Sequence, residues 1–98
     1  MANYKLTKRA VNDLSEIWLY TYETWSERQA DKYYSLLIDT ISELSNKPEI
    51  GRSYAMIETG LHGVKVGRHI IFYMVESDQD ILVVRILHEQ MDLLNKFS

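Results

Sequence analysis

Residues 69–87 read HIIFYMV-ESDQD-ILVVRIL. His69–Val75 and Ile81–Leu87 are almost wholly apolar and rich in β-branched and aromatic residues, which suit a packed, pleated surface. ESDQD between them supplies a polar turn. The stretch predicts two antiparallel strands apolar on both faces. Upstream, Leu61–Val66 alternates loosely, with Val64 and Val66 on one side, and predicts a third strand of the same meander. The four glycines, Gly51, Gly60, Gly63 and Gly67, all fall within 51–67, so the segment leading into the meander is rich in turns.

The first half of the chain carries a different period. Thr7 reads as a helix N-cap, whose hydroxyl accepts from an unpaired backbone N–H. Ala10, Val11, Leu14, Ile17, Trp18, Thr21 and Trp25 follow at spacings of three and four, one face of a helix. Asp13, Glu16 and Glu23 fall largely off that stripe. Ser26 and Gln29 have the spacing of a capping box and open a second helix. Its stripe is Ala30, Tyr33, Leu37, Ile41 and Leu44, widened by Tyr34 and Ile38. Asn46 ends it and Pro48 prevents its resumption. The short join at Trp25-Ser26 makes the two helices an antiparallel hairpin. Tyr4-Lys5-Leu6 is a candidate first strand. The predicted fold class is α+β, in the order β-α-α-β-β-β, with the hairpin packed on one face of a small, mainly antiparallel sheet. The other sheet face is expected to stay open or partly covered, and Leu14, Trp18, Leu37, Ile41, Phe72 and Val84 to form core.

Ninety-eight residues with 46% apolar content fit a single domain over 1–98 with one core. The chain has no cysteine, which excludes disulfides and thiolate metal sites and suits a reducing compartment. MANYKLTKRA lacks the apolar segment of a signal peptide, and no apolar run is long enough for a membrane span. A cytoplasmic location is the expectation, with no membrane partner. The net charge is −3, the opposite of the basic footprint that phosphate contacts usually require. Arg52, Lys65, Arg68 and Arg85 leave room for a local basic patch.

Basic, imidazole and acidic groups meet in RILHEQMD, residues 85–92. Strand parity places Arg85 with Ile81, Val83 and Leu87, and His88 with Leu82, Val84 and Ile86. In that register they do not form one catalytic pair. Arg85 is expected to pair with a nearby carboxylate, Glu89 or Asp92, and His88 to bond the backbone of the next turn. His62 and His69 lack a third ligand at zinc spacing, so neither a metal site nor a cofactor is predicted. No phosphate loop, dinucleotide glycine pattern or serine nucleophile elbow is present. The residues alone describe a small α+β module without a visible catalytic set.

Taken together, YKLTKRAVNDLSEIWLYT, QADKYY, Pro48-Glu49-Ile50-Gly51-Arg52, GLH, VGRHIIFY and RILHEQMD resemble the ParE toxins of the RelE/ParE superfamily, over residues 4 to 92. These are toxin halves of type II toxin–antitoxin pairs, and their strand and helix order is the one read above. RelE-type members are ribosome-dependent mRNA interferases that array Arg and Lys on the open sheet face. ParE-type members are described as poisons of DNA gyrase acting by protein contact. This chain fits the second branch. Ile70 stands where RelE-like strands carry Arg, and His88-Glu89-Gln90-Met91-Asp92 brings two acids where they carry a basic cluster.

The resemblance implies a non-enzymatic gyrase inhibitor neutralised by a ParD-like antitoxin in a hetero-oligomer, without direct nucleic-acid binding. An mRNA interferase and a non-toxic binding module with the same fold are the alternatives. It also implies an antitoxin surface, for which Arg52, Arg68 and Arg85 are candidate carboxylate anchors and Tyr22, Trp25 and Tyr34 candidate apolar contacts. His88, Met91, Leu93, Leu94 and Phe97 form a candidate gyrase-binding tail, which is expected either to serve that role or to pack on the sheet.

Overall fold

The computed structural model describes residues 3–76, 80–91 and 96–97. The elements are β1 (Tyr4–Leu6), α1 (Lys8–Thr24), α2 (Glu27–Asn46), a 3-10 turn (Pro48–Ile50), β2 (Arg52–Ser53), β3 (Leu61–Val66), β4 (His69–Val75) and β5 (Ile81–His88). Both helix starts are capped by the expected residues. Thr7 Oγ1 accepts from Ala10 N at 3.1 Å, and Ser26 Oγ from Gln29 N at 3.1 Å. Each cap satisfies a donor that the first helical turn leaves unpaired.

The five strands form one sheet in the order β1-β5-β4-β3-β2. The meander β3-β4-β5 is antiparallel, and β1 lies parallel to β5 at one edge. Two-residue β2 at the opposite edge was not anticipated; it sits inside the glycine-rich connection, where no periodicity announces a strand.

Two apolar clusters sandwich the sheet. On the helix side Ala10, Leu14, Leu37, Ile41 and Leu44 pack against Ile71, Tyr73, Ile81, Val83 and Ile86. Tyr73 is wholly buried, and its hydroxyl donates to the Pro48 carbonyl at 2.6 Å and accepts from Gly51 N at 3.0 Å. Its polar tip is thereby satisfied, and it ties the 3-10 turn to the sheet. Burial raises its pKa above the usual phenol value. Of the predicted core, Leu14, Leu37, Ile41 and Phe72 are buried, with two corrections. Trp18 is only partly buried, because its indole N–H reaches Asp31 Oδ1 at 3.0 Å and its ring stacks on exposed Tyr22, 5.3 Å between centroids. Val84 is likewise partly buried and belongs to the other cluster.

That cluster corrects the expectation of an open far face. Leu61, Ile70, Phe72 and Leu87 are buried there under Tyr54, Ile57 and Phe97. The Tyr54 ring lies so close over Gly63 that a Cβ at that position would approach it to 2.8 Å. Phe97 meets Phe72 edge-on at 5.0 Å. Of the candidate tail, Phe97 therefore packs on the sheet; Leu93 and Leu94 lie outside the described residues. Among the described residues no helix is long and apolar enough to cross a membrane.

Leu37 is fully buried between α2 and the sheet. Leu37→Ala should cost ~2–5 kcal/mol, the range for truncating a buried aliphatic side chain. Urea denaturation measures it, and a loss below ~0.5 kcal/mol would mean the α2 stripe is not packed.

Candidate functional site

β1 ends at Leu6, but β5 continues to His88. The edge of β5 beyond Leu6 would carry unpaired backbone groups, and α1 supplies their partners. Thr7 N donates to the Val83 carbonyl at 3.0 Å, and Thr7 Oγ1 donates to the Val84 carbonyl at 2.8 Å. Asp13 Oδ2 accepts from Ile86 N at 2.9 Å. The same carboxylate takes the Arg85 guanidinium in two bonds, Nε to Oδ2 at 2.9 Å and Nη2 to Oδ1 at 3.0 Å. Asp13 is buried and Arg85 mostly so. This pair holds Arg85 more firmly protonated than a free guanidinium. The partner of Arg85 is thus Asp13, 72 residues away in sequence, rather than Glu89; Asp92 lies outside the described residues. Glu89 instead takes Lys65 Nζ at 3.0 Å.

The edge is irregular at this point. Phe72 faces Arg85 while Tyr73 faces Val83, so one residue of β5 is extra. A bulge of this kind shifts side-chain parity by one. Ile81 and Val83 join Ile86 on the helix side, and Leu87 lies with Val84 on the other. The regular alternation predicted for Ile81–His88 is corrected accordingly.

Past the bulge, His88 pairs with His69 across the strands, and the two rings meet edge to face at 5.4 Å. His88 Nδ1 accepts from Gln90 N at 3.1 Å, the terminal turn bond expected of it. His69 Nδ1 lies 2.7 Å from the Tyr33 hydroxyl. That hydroxyl also bonds the β3–β4 turn, donating to the Val66 carbonyl at 3.1 Å and accepting from Arg68 N at 3.3 Å. Gly67 has φ +57, and a Cβ there would come within 2.7 Å of the same hydroxyl. Both facts require glycine where α2 seats the turn. Burial, and then the neighbouring His88, lower the His69 pKa from 6.5 to about 4. The imidazole is neutral near pH 7.

Two clefts open here. One, of about 390 Å³, lies between α1 and the end of β5 and is lined by Asp13, Glu16, Ile17, Tyr20, His69 and His88 among others. The second, of about 370 Å³, continues past Tyr20 to Trp25, Tyr33 and Arg68, and also reaches His69 and His88. The predicted site residues divide among several places. Arg68 and Trp25 line the second cleft, and Arg85, His88 and Met91 the first. Tyr34 lines a smaller cleft with Ser15, Trp18 and Asp31 on the outer side of the hairpin, where Tyr22 stacks on Trp18. Arg52 lies on the far edge strand, 5.5 Å from the Tyr54 ring centroid. Tyr20 was not singled out by sequence, while Asp13 was read as lying off the apolar stripe, Tyr33 as part of the α2 stripe and His69 as a discounted zinc ligand. Asp13, Glu16, Ile17, Tyr20, Thr21, Thr24 and Trp25 follow one another at helical spacing, a face that shares Ile17, Thr21 and Trp25 with the predicted stripe and adds Asp13, Glu16, Tyr20 and Thr24 at its flank.

Chemically, the cations that line the clefts are dispersed, Arg85 and Lys96 in the first and Arg68 in the second. Arg85 is neutralised by Asp13, and among the described ion pairs the remaining one joins Lys65 to Glu89.

Removing the Asp13 carboxylate strands the Arg85 charge and the Ile86 N–H together. Asp13→Ala should therefore cost about 3 kcal/mol or more in denaturant unfolding; an effect below ~1 kcal/mol would show that the edge is satisfied some other way. His69 gives a second expectation. The unfolded chain takes up its proton near 6.5 and the folded chain only near 4, so between these values the unfolded state holds more protons. Stability should fall as pH drops from 6.5 towards 4, with a flatter profile in His69→Gln. An imidazole that titrates near 6.5 in the folded protein by NMR would contradict this.

The ParE toxin family of type II toxin–antitoxin systems (parDE) matches residues 4–93. Toxin ParE1 of Mycobacterium tuberculosis is 37% identical over 92 residues, which cover 94% of either chain. Toxin ParE1 of Caulobacter vibrioides is 33% identical over the same shares. A solved structure of the chromosomal ParDE system from P. aeruginosa has the same fold, with a TM-score of 0.76 over 90% of this chain and 96% of that one at 18% identity. The fold built on the Thr7 and Ser26 caps and the five-stranded sheet is therefore a RelE/ParE fold, and this chain belongs to the ParE toxin family of type II toxin–antitoxin systems.

Proposed function

We propose that this toxin inhibits DNA gyrase by protein contact and is neutralised by a ParD-like antitoxin. The observation that carries the reading is the state of its cations. An interferase must stabilise charge developing on a scissile phosphate, which takes convergent, unpaired donors. Here Arg85 is bound in two bonds by Asp13, Arg52 stands at the opposite edge of the sheet, and Arg68 and Lys96 line different clefts. The exposed side chains beside the clefts are instead large and amphipathic, with Tyr20 67% and Trp25 74% accessible. Side chains of this kind are enriched in protein-binding anchors. Arg68, Trp25, Tyr22 and Tyr34 are proposed to meet the antitoxin. Arg85 acts on that surface as part of the cleft wall, its charge being spent on Asp13. Met91 and His88 line the gyrase-facing candidate surface at the end of β5, while Phe97 holds the tail to the sheet.

One observation favours the interferase alternative: Tyr33, His69 and His88 form a polar cluster facing a cleft, and imidazoles serve general acid–base chemistry. The readings separate in two assays on the purified chain. Loss of gyrase supercoiling without mRNA cleavage on translating ribosomes is the expected result. Ribosome-dependent cleavage with gyrase unaffected would overturn the proposal. In cells, His88→Ala should retain toxicity within a few-fold at matched expression. Complete loss in a folded His88→Ala variant would point to the nuclease.

A further inference from the structure

The outer side of the helical hairpin carries a separate cleft of about 340 Å³, which shares no described lining residue with the two clefts at the strand ends. Its walls are Ser15 and Trp18 from α1 and Asp31 and Tyr34 from α2. Within each pair the residues are one helical turn apart, so each pair shares a face of its helix. The Trp18 indole N–H donates to Asp31 Oδ1 at 3.0 Å, which ties the helices together and fixes the carboxylate. Tyr22 lies flat against Trp18, with the ring planes 7° apart. That tie uses one carboxylate oxygen. Asp31 Oδ2 and the Tyr34 ring, 41% exposed, are left over. Arg28 and Lys32 are neighbouring cations on α2, yet neither ion pair found among the described residues includes them.

We propose that this cleft seats the side chain of an arginine presented by a protein partner, with its guanidinium against the Trp18 and Tyr34 rings and its N–H groups on Asp31 Oδ2. The inference rests on the reading of Tyr34 as a partner contact and adds the chemistry of that contact.

The lining selects a guanidinium over other groups. Aromatic faces attract cations, tryptophan most strongly. A carboxylate oxygen bonds best to a charged donor. A guanidinium is planar, so it can lie along a ring and donate from its edge at once, whereas a lysine ammonium is a strongly hydrated point charge. An incoming carboxylate would be repelled by Asp31. The cleft thus has the opposite polarity to the surface around Arg68, and the net charge of −3 suits approach by a basic partner.

The test follows the Trp18 and Trp25 indole N–H resonances of the full chain by NMR as Nα-acetyl-arginine amide is added into the millimolar range. The same derivative of citrulline, equal in shape and uncharged, is the control. Expected are a saturable shift of Trp18 with the arginine probe, little shift with citrulline, and none at Trp25, which lines another cleft. Asp31→Asn keeps an acceptor for the indole and removes the charge. It should weaken the arginine probe about fivefold or more, and Tyr34→Ala about two- to fivefold, the scale of an exposed cation–π contact. Equal shifts with arginine and citrulline, or full-strength binding by Asp31→Asn, would overturn the seat. Free arginine binding more tightly than the capped probe would assign the cleft to the free amino acid instead of a protein side chain. If the seat fails while Tyr34→Ala still weakens antitoxin binding, Tyr34 stays a partner contact; if that binding is unimpaired too, the reading beneath fails as well.

Discussion

The Asp13 carboxylate is the point on which the architecture turns. One side chain neutralises the Arg85 guanidinium and satisfies the Ile86 N–H, both on a strand edge that β1 has ceased to cover. A buried ion pair often gains little net stability over an apolar replacement. Its value here is geometric. Thr7, the N-cap of α1, and Asp13 within the helix each grip the β5 edge, so α1 is fixed in position and rotation against the sheet. The bulge at Val84-Arg85 is held open by those two grips, and it carries His88 to the side where it meets His69 and lines the first cleft.

A second fixture acts from α2. The Tyr33 hydroxyl bonds the β3–β4 turn at Val66 and Arg68 and lies against His69. The two helices thus hold opposite ends of one polar cluster, and the clefts around it are set by side-chain bonds of high sequence separation. Apolar packing supplies the stability of the domain, while these few polar contacts decide its shape. A family that splits into nucleases and protein-binding toxins on one fold needs such local decisions, because the fold does not choose between them. In this chain Arg85 is turned inward onto a carboxylate, which is the local feature on which the protein-contact reading proposed above rests.

Much of this was legible in the residues, and the part that was not has a common cause. Thr7, Ser26 and the two helical stripes depend on local bonding and period, so the helix ends and the main strands follow from neighbouring residues. Asp13 reads as a solvated charge because its partner lies in β5. Trp18 and Trp25 sit on the apolar stripe by spacing, yet both are amphipathic and end near the surface, Trp18 by way of Asp31. Cover of the far sheet face by Tyr54, Ile57 and Phe97 is equally non-local. Gly63 within β3 was its one local sign, since a glycine in a strand marks the close approach of another group. The candidate site was legible as a set of residue types around Arg68 and Trp25, but not as a place. Arg52 and Tyr34 share its chemistry and lie elsewhere.

The central proposal is that the exposed face of α1 and the β3–β4 turn, which carry Trp25 and Arg68, meet the antitoxin. Amide hydrogen exchange on the free toxin and on the complex tests it without altering a residue. New protection should concentrate in the exposed half of α1, from Glu16 to Trp25, and in the turn at Gly67 and Arg68. Protection confined to the β2 edge or to the outer face of α2, with α1 and the turn unchanged, would contradict it.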